Sequence, residues 1–374
     1  MKKICFVLTA EFAIKAFLLN HLRALSKTYD VTVIVNTNNP NFLDEQGINA
    51  KVVPLAIARD ISLILDISCL MRLVKIFYQQ GFSAVHSITP KAGLLAMLAA
   101  CIVRVPLRVH TFTGQVWVTR LGFKRLLLKM FDSLIAFLAT NIIVDSYSQL
   151  QFLLGEGVVT KAKSVVFGRG SVSGVDLSRF KYSAQARLEV RNRLNINADA
   201  IVFLFLGRLN LDKGILDLAK AYNQLPIGAA YLLFVGPDEQ NMQIKIESIL
   251  ENSASNVRYI GHTHVPEHYM AAADVLFLPS YREGFGSVVI EAAAVGIPTV
   301  ASRIYGVRDA VVDGETGLLH EPRVVDEIED CMKSMLSNRA LRLKLGGQAQ
   351  ARAVKDFDSQ LITQAWVNFY HENV

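Results

Sequence analysis

Two glutamates follow one short apolar run in this sequence, at a spacing that could serve an anion and a diol. Asp274–Pro279 is typical of a strand buried on both faces of a parallel sheet. Ser280–Gly286 is a polar turn, and Ser287–Val295 has the pattern of a helix that Gly296 and Pro298 end. A strand that leads into a helix through such a turn leaves backbone N–H groups unpaired, so the stretch predicts an anion site.

The two glutamates would flank an anion bound at the start of that helix. Backbone N–H groups near Gly286, Ser287 and Val288 are expected to hold a phosphate there. Glu291, about one turn into the helix, would accept paired hydrogen bonds from a ribose diol, and Glu283 would accept them from hydroxyls beyond the phosphate. Spacing alone allows an equal alternative, in which Glu283 is a solvated loop charge and Glu291 a partner of the helix dipole.

A second charged cluster, Leu206-GRLNLDKGI-Leu216, follows another predicted strand. Gly207 lets the backbone approach a ligand, Arg208 offers a planar fork of donors, and Lys213 offers a point charge. The GK[ST] ending of a P-loop is absent, so transfer of a γ-phosphoryl group is not implied. Taken alone, Arg208 and Lys213 are typical of surface charges. A second phosphate-ready turn in the same half favours the interpretation that they neutralise a nucleotide diphosphate.

Positioning these residues requires parallel sheets, and the rest of the chain predicts two of them. A chain of 374 residues is too long for one ordinary hydrophobic core. Its composition, 52% apolar and 19% charged residues, favours buried sheets over disorder. Short apolar runs alternate with helical patterns in both halves, which predicts doubly wound, Rossmann-like α/β domains facing each other across a deep cleft. The pattern includes one continuous helix near Ile14–Lys27 and a last strand at Thr299–Val300.

The glycine- and serine-rich stretch Phe167–Leu177 places the domain boundary near Gly174. The expected division is therefore a first domain over 1–174, a second over 175–355 and a C-terminal helix over 356–374. The apolar face of that helix, which includes Trp366 and Tyr370, either returns to the first domain or packs on the second.

Charge is distributed unevenly along the chain. Residues 1–175 contain 19 Lys and Arg against nine Asp and Glu, whereas residues 176–374 contain 20 against 24. A basic, apolar-rich first half predicts an anionic partner. The interleaved aromatics and glycine motifs of RNA-binding modules are absent, so we expect no nucleic acid and favour an anionic membrane surface.

The predicted membrane contact is the amphipathic segment Leu121–Ala139, with a buried core helix as the alternative. No stretch reaches the roughly 20 apolar residues that cross a bilayer, because charges interrupt both this segment and Ile61–Tyr78. The cations of the membrane contact are Arg120, Lys124, Arg125 and Lys129, and its apolar residues are Phe123, Leu127, Phe131 and Leu134.

Metal and disulfide chemistry are not expected. Four cysteines are scattered without a CxxC pair or a nearby histidine, which fits a reducing cytosol. The one Asp-x-Asp of the sequence, Asp356-Phe-Asp358, stands at a predicted helix junction and is explained as a solvated turn or helix cap.

Three ordered motifs of the second half resemble glycosyltransferase family four, a group of retaining enzymes with the GT-B fold that use nucleotide sugars. They are GRLNLDKG, EGFGSVVIEAAAVGIPTVAS and GVRDAVVDGETGLL (Gly306–Leu319), and they cover most of that half. GSVSGVDLSRF is similar to the family's interdomain linker, and VHTFTGQVW to the branch that builds bacterial surface glycans. Within that branch the likeness is to enzymes that add N-acetylgalactosamine or a related sugar to undecaprenyl-diphosphate-linked precursors.

The resemblance implies a role for each candidate residue of the second domain, which would bind the nucleotide sugar. Arg208 and Lys213 would hold the diphosphate, Glu291 the ribose and Glu283 the hydroxyls of the donor sugar. Together with His110, the residues Arg208, Lys213 and Glu283 form the predicted catalytic set. The remaining donor contacts fall on Gly207, Gly284, Phe285, Gly286, Ser287 and Val288.

The first domain is expected to bind the acceptor. His110 ends a predicted strand where the family keeps a histidine close to the transferring sugar; a hydrogen-bonded loop histidine is the alternative. Glu11 and Thr113 are assigned to the acceptor. The family's glycine pair in the first strand–helix loop is replaced here by Thr9–Ala13. Glu11 therefore keeps two interpretations, one that orients an acceptor hydroxyl and one as a helix-start carboxylate.

The implied reaction moves N-acetylgalactosamine, N-acetylglucosamine or a related hexose from a UDP-sugar to a lipid-linked glycan precursor, with retention and without a metal or other cofactor. The expected location is the cytoplasm, at the inner face of the cytoplasmic membrane. Two alternatives stay open. One is a nucleotide-sugar 2-epimerase of the same fold, and the other is a non-catalytic membrane scaffold.

Overall fold

The computed structural model describes residues 1–57 and 62–374 and divides into two compact units. The first unit comprises Met1–Gly174 and Ser359–Val374, and the second comprises Val175–Asp358. Ile61, which begins the apolar stretch Ile61–Tyr78, lies outside the described residues. Each unit is built on its own parallel sheet, so the predicted α/β fold is confirmed.

The sheet of the first unit has the strand order β3-β2-β1-β4-β5-β6-β7, with every pairing parallel. Its central strands are buried on both faces, as expected when helices cover both sides of a sheet. The strands among the described residues are β1 (Lys3–Leu8), β2 (Asp30–Val35), β3 (Lys51–Pro54), β4 (Ala84–Ser87), β5 (Leu107–Phe112), β6 (Asn141–Val144) and β7 (Ser164–Val165).

The described helices of this half are α1 (Glu11–Phe17), α2 (Leu19–Leu25), α3 (Leu63–Gln80), α4 (Pro90–Ile102), α5 (Gly122–Leu138) and α6 (Tyr147–Gly155). One face of the sheet is covered by α3, α4, α5 and α6, and the other by α1 and α2. The helix predicted near Ile14–Lys27 is present as two helices, because the backbone breaks at Leu18, and the first of them begins at Glu11.

The sheet of the second unit has the strand order β10-β9-β8-β11-β12-β13, again with every pairing parallel. Its strands are β8 (Val202–Leu206), β9 (Tyr231–Val235), β10 (Val257–Ile260), β11 (Val275–Leu278), β12 (Thr299–Ser302) and β13 (Gly317–His320). The strand predicted to be last, Thr299–Val300, therefore runs on to Ser302 and is followed by one more.

Helices cover both faces of this second sheet. Gly296 ends one of them in the left-handed conformation that favours glycine, and Pro266 begins another at a position where its missing N–H costs nothing. The helices are α7 (Ala184–Arg193), α8 (Ile215–Asn223), α9 (Met242–Leu250), α10 (Pro266–Ala272), α11 (Ser287–Val295), α12 (Val307–Ala310), α13 (Val325–Ser337) and α14 (Arg339–Asp356).

The last helix, α15 (Ser359–Asn373), returns to the core of the first unit. The buried Trp366 indole stacks on the imidazoles of His21 and His86, with ring centroids 4.6 and 4.9 Å apart, and donates a hydrogen bond to the Val172 carbonyl. The chain enters and leaves the second unit side by side, because the Val175 N–H donates to the Phe357 carbonyl at 2.7 Å. The helix thus begins at Ser359, directly after the predicted helix junction at Asp356–Asp358.

The predicted membrane segment forms α5, but its charges are arranged differently from the expectation. Arg125 and Lys129 lie against the Trp117 ring and pair with Glu156, at 3.4 and 2.6 Å. Leu127 and Phe131 are half-buried. Only part of the predicted cationic and apolar set is therefore available to a partner. Among the described residues, no helix is both long enough and apolar enough to cross a membrane.

Candidate functional site

The two motifs predicted to bind an anion meet at the topological switch point of the second sheet. The chain runs outward from β8 through β9 to β10, then returns to place β11 on the other side of β8. The loops that follow β8 and β11 therefore begin at neighbouring carboxyl ends, where open α/β sheets bind ligands. Gly207, Arg208 and Lys213 lie in the first loop, and 280–286 form the second.

An ion pair joins these two loops. Lys213 Nζ lies 2.5 Å from Glu283 Oε1, and the Ser280 hydroxyl donates to the same oxygen at 2.8 Å. Both side chains are largely buried, with 18% and 14% of their area exposed. The structure thus brings together two residues that stand 70 positions apart in the sequence, one cation and one carboxylate of the predicted site.

Further contacts hold the same loops in register. The Tyr281 hydroxyl donates to Asp217 at 2.5 Å, and Arg282 pairs with Asp212 at 3.1 Å. Burial and the Asp217 carboxylate together raise the pKa of Tyr281 well above its usual value, so the phenol stays a donor. Asp212 and Asp217 were not predicted as site residues, because their partners become visible only once the strand order is known. Ser280 was also missed, although its partner Glu283 stands three residues away in the same loop.

Close backbone approach at Gly214 makes this loop packing possible. Gly214 has a φ of 65°, and a Cβ there would overlap the Pro279 carbonyl oxygen. Any other residue would push the β8 loop away from the β11 loop, which would separate Lys213 from Glu283.

The second predicted cation, Arg208, pairs with a residue that sequence reasoning missed. Its guanidinium donates to Glu239 at 3.1 Å, and the Asn210 amide donates to the same carboxylate, also at 3.1 Å. Glu239 follows β9, the other neighbour of β8. Arg208 remains 46% exposed, so its donors are accessible to a further anion. The sequence does show an acidic pair directly after Gly236 and Pro237, which could have suggested a charged loop there. Only the strand order shows that this pair lies beside Arg208.

The start of α11 presents the backbone donors that the sequence predicted. Gly286, at φ 85°, precedes the helix in the left-handed region, and no side chain caps it. Gly284, Phe285, Ser287 and Val288 surround this uncapped turn, with Phe285 buried beneath it and stacked edge-on against Phe357. Uncapped N–H groups at a helix start favour an anion.

Glu291 lies one turn into α11 and is partly buried without a protein partner. Among the described residues no hydrogen bond or ion pair reaches its carboxyl group. Burial raises its pKa to about 7; the Arg179 cation opposes this shift and the Glu267 carboxylate adds to it. A desolvated carboxyl group without donors suits a ligand that brings its own, such as a diol.

His110 does not occupy the position predicted for it. Its strand, β5, continues to Phe112, so the prediction that His110 ends the strand is wrong. The side chain is 1% exposed, and its Nδ1 shares a hydrogen bond of 2.8 Å with the Ser87 hydroxyl beneath α4. Burial lowers the pKa of His110 to about 3, which keeps the imidazole neutral. The imidazole is thus almost fully enclosed within the first unit.

The two predicted acceptor residues follow different strands of the first unit, β1 and β5. Glu11 begins α1, where it pairs with Lys15 at 2.5 Å and accepts from the Thr37 hydroxyl at 2.7 Å. The bond from Lys15, with that from Thr37, lowers the pKa of Glu11. These contacts match the alternative of a helix-start carboxylate. Thr113 directly follows β5 and is half-buried.

Within 1–57 and 62–374, no group of three or more His, Cys, Asp or Glu side chains is placed to hold a metal ion.

Family models match both halves of the chain. Residues 186–352 match the model described as glycosyl transferases group 1, and residues 14–170 match the glycosyl transferase 4-like domain. The capsular polysaccharide biosynthesis glycosyltransferase CapM of Staphylococcus aureus is 30% identical over 86% of this chain and 84% of its own length. The UDP-Gal:alpha-D-GlcNAc-diphosphoundecaprenol alpha-1,3-galactosyltransferase of Escherichia coli is 26% identical over 85% and 83%.

A solved structure shares the whole fold. HepE of Anabaena, in complex with UDP and glucose, superposes with a TM-score of 0.83 at 20% sequence identity and covers 100% of each chain. At that identity the likeness establishes the fold, which is GT-B.

Proposed function

Because the chain belongs to the glycosyltransferases defined by the group 1 model, we propose that it transfers a sugar from UDP to a lipid-linked glycan precursor in bacterial surface polysaccharide synthesis. The donor sugar in this proposal is N-acetylgalactosamine, N-acetylglucosamine or a related hexose. The S. aureus relative is named for capsular polysaccharide and the E. coli relative for a diphosphoundecaprenol acceptor, which supports both parts of the proposal.

The observation that carries this proposal is the Lys213–Glu283 pair at the switch point, beside the uncapped start of α11. Lys213 has three donors, so it can hold Glu283 and a diphosphate oxygen at once. Arg208, anchored by Glu239, provides a second cation for the same diphosphate. The unpartnered Glu291 accepts the ribose hydroxyls, and Glu283 contacts the sugar.

In the reaction, the bond between the anomeric carbon and the diphosphate oxygen breaks, and the acceptor hydroxyl forms the new glycosidic bond on the same face. Negative charge grows on the leaving diphosphate, where Lys213, Arg208 and the α11 amides stabilise it. A diphosphate oxygen takes the acceptor proton, so no side chain is required as a base. No metal takes part in this scheme.

In this proposal the first unit binds the acceptor, and Thr113 and the loop before Glu11 contact it. A lipid-linked acceptor places the protein at the cytoplasmic face of the membrane, in contact with anionic lipid headgroups. The basic first half of the chain supports that location.

A mass-spectrometric transfer assay tests the proposal. Purified protein is incubated with each of UDP-GalNAc, UDP-GlcNAc, UDP-Gal and UDP-Glc, together with detergent-extracted lipid-linked glycans. We expect one donor to increase the mass of the lipid-linked product by one sugar residue. Conversion of the UDP-sugar alone into an isomer would instead identify a 2-epimerase, and failure of every donor to bind would overturn the proposal.

A further inference from the structure

The helical layer α3–α4–α5 of the first unit has an outer surface that no other described element covers. Both α3 and α5 pack against α4, and all three bury their inner sides against the same face of the sheet. The outward sides of α3 and α5 are apolar, which is unusual for helix faces exposed to solvent.

The outward stripe of α3 consists of large apolar side chains at helical spacing. Ile64 is 84% exposed, Ile67 61%, Met71 62% and Tyr78 81%. The opposite stripe, Cys69, Leu73 and Phe77, is buried in the core. The exposed stripe extends over four turns, about 21 Å at 1.5 Å per residue. Helix α3 thus packs one apolar face into the core and leaves a second apolar face exposed.

An equivalent stripe follows α5. Phe123 is 75% exposed, Leu126 64%, Met130 55% and Phe137 76%, with Leu134 between the last two. These residues again span about 21 Å. Since α3 and α5 are both neighbours of α4, and packed helices lie about 8–10 Å apart, the two stripes belong to one surface roughly 20 Å wide.

Exposed cations border this surface, and its acids are neutralised. Between residues 62 and 140 there are nine Lys and Arg but two Asp. Asp66 pairs with Lys91 at 2.7 Å, and Asp132 is buried against the Trp117 N–H. Of the cations described here, those that are exposed and have no ion pair are Arg72 and Lys75 on α3, Arg104 after α4, and Arg120 and Lys124 at the start of α5.

We propose that the α3 and α5 stripes together form the surface by which the first unit binds an anionic lipid bilayer, with α3 as a second contact beside the α5 segment. The apolar side chains enter the boundary between headgroups and acyl chains, and the five free cations contact lipid phosphates. This inference rests on the proposed function, since it names the membrane-facing surface of an enzyme with a lipid-linked acceptor.

Charge complementarity favours a bilayer over a protein partner. The unpaired exposed charges described on this surface are all cations. Two long apolar stripes with such an edge match the layering of an anionic membrane, with acyl chains below and phosphates above. A second copy of the same chain would bring the same cations against one another, which is unfavourable.

Vesicle flotation tests the proposal. The probes are vesicles of phosphatidylethanolamine with phosphatidylglycerol, and of phosphatidylcholine alone. We expect the full chain to float with the anionic vesicles, and the triple variant Ile64→Ser, Ile67→Ser, Met71→Ser to lose at least about tenfold in partitioning, since each buried apolar side chain contributes to binding. The control is Ile227→Ser with Ile244→Ser, two equally exposed side chains of the second unit at 69% each, which should float like the parent.

Two further readouts separate this inference from the proposed function. Calorimetric binding of UDP, and transfer to detergent-extracted acceptor, should be unchanged in the triple variant, because neither needs a bilayer. Flotation of the triple variant equal to that of the parent would overturn the inference while leaving the transferase assay untouched. A parent chain that does not float but forms a dimer, which the triple variant converts to monomer, would also overturn it.

Discussion

Lys213 Nζ lies 2.5 Å from Glu283 Oε1, across the point where the strand order of the second sheet reverses. The pair keeps a cation and a carboxylate ready in a largely buried position before any ligand arrives. Such preorganised charge is what stabilises a leaving group most effectively.

Removal of the Lys213 cation should therefore affect turnover strongly. We expect Lys213→Ala to lower kcat by about 100-fold or more, the usual cost of losing one preorganised donor to developing charge. Lys220→Ala, on the exposed side of the next helix, is the matched control and should leave kcat unchanged. Steady-state kinetics with the accepted UDP-sugar provide the measurement. Equal kcat values for the two variants would show that the cation of the ion pair does not act on the diphosphate.

The raised pKa of Glu291 gives donor binding a pH dependence. A carboxylate accepts two hydrogen bonds from a diol, whereas a protonated carboxyl group cannot, so affinity for UDP should fall as the pH drops through about 7. Glu291→Gln should bind more weakly at pH 8 and show a flat profile from pH 6 to 8. Calorimetric titration measures both. A parent profile that is also flat would contradict the assignment of Glu291 to the ribose.

The same group should affect stability in the opposite direction. Its folded pKa lies above the usual value near 4.5, so its protonated form is favoured in the fold, and this contribution is full below 4.5 and lost as the pH rises through about 7. Glu291→Gln should therefore stabilise the ligand-free second unit at pH 8, by up to about 3 kcal/mol, and have little effect at pH 4. Thermal unfolding at the two pH values provides the test, with the exposed Glu315→Gln as a variant expected to change neither.

Activity should survive removal of divalent metal ions. The diphosphate charge is assigned to Arg208, Lys213 and the α11 amides, so EDTA is expected to leave kcat within about twofold. The measurement is the transfer assay after chelation and desalting. Loss of activity that only Mg²⁺ restores would show that a metal bridges the diphosphate.

Trp366 should be essential to the first unit even though it stands in the last helix. Truncation of this fully buried indole to alanine removes its contacts with His21 and His86 and should cost about 3–5 kcal/mol. Leu361→Ala in the same helix, 54% exposed, should change stability by less than about 0.5 kcal/mol. Chemical denaturation followed by far-UV circular dichroism distinguishes the two variants. Similar midpoints would mean that the helix is not part of the cooperative core.

Local patterns in the sequence predict the sheets well and the side-chain partners poorly. Apolar runs such as Val202–Leu206 predict strands because both faces of the sheet are buried. That same burial hides orientation, which is why His110 could not be recognised as a core residue from the run around it. β7 has only two residues, and the break at Leu18 lies inside an uninterrupted apolar periodicity, so neither feature left a local signal.

The candidate site divides in the same way. Arg208, Lys213, Glu283 and the start of α11 could be predicted because glycine turns and charge follow predicted strands. Glu239, Asp212 and Asp217 could not, since their roles depend on which strands are neighbours, and sequence separation says nothing about that.

The return of α15 to the first unit has a consequence for synthesis of the protein. A ribosome releases the residues that complete this core last, after all of Val175–Asp358 has already emerged. The core of the first unit therefore cannot be completed until Trp366 and Tyr370 have been synthesised, whereas the second unit can finish folding before then. Expression of residues 1–174 alone would yield a first unit without its last core helix. Chimaeras between relatives should therefore exchange α15 together with residues 1–174.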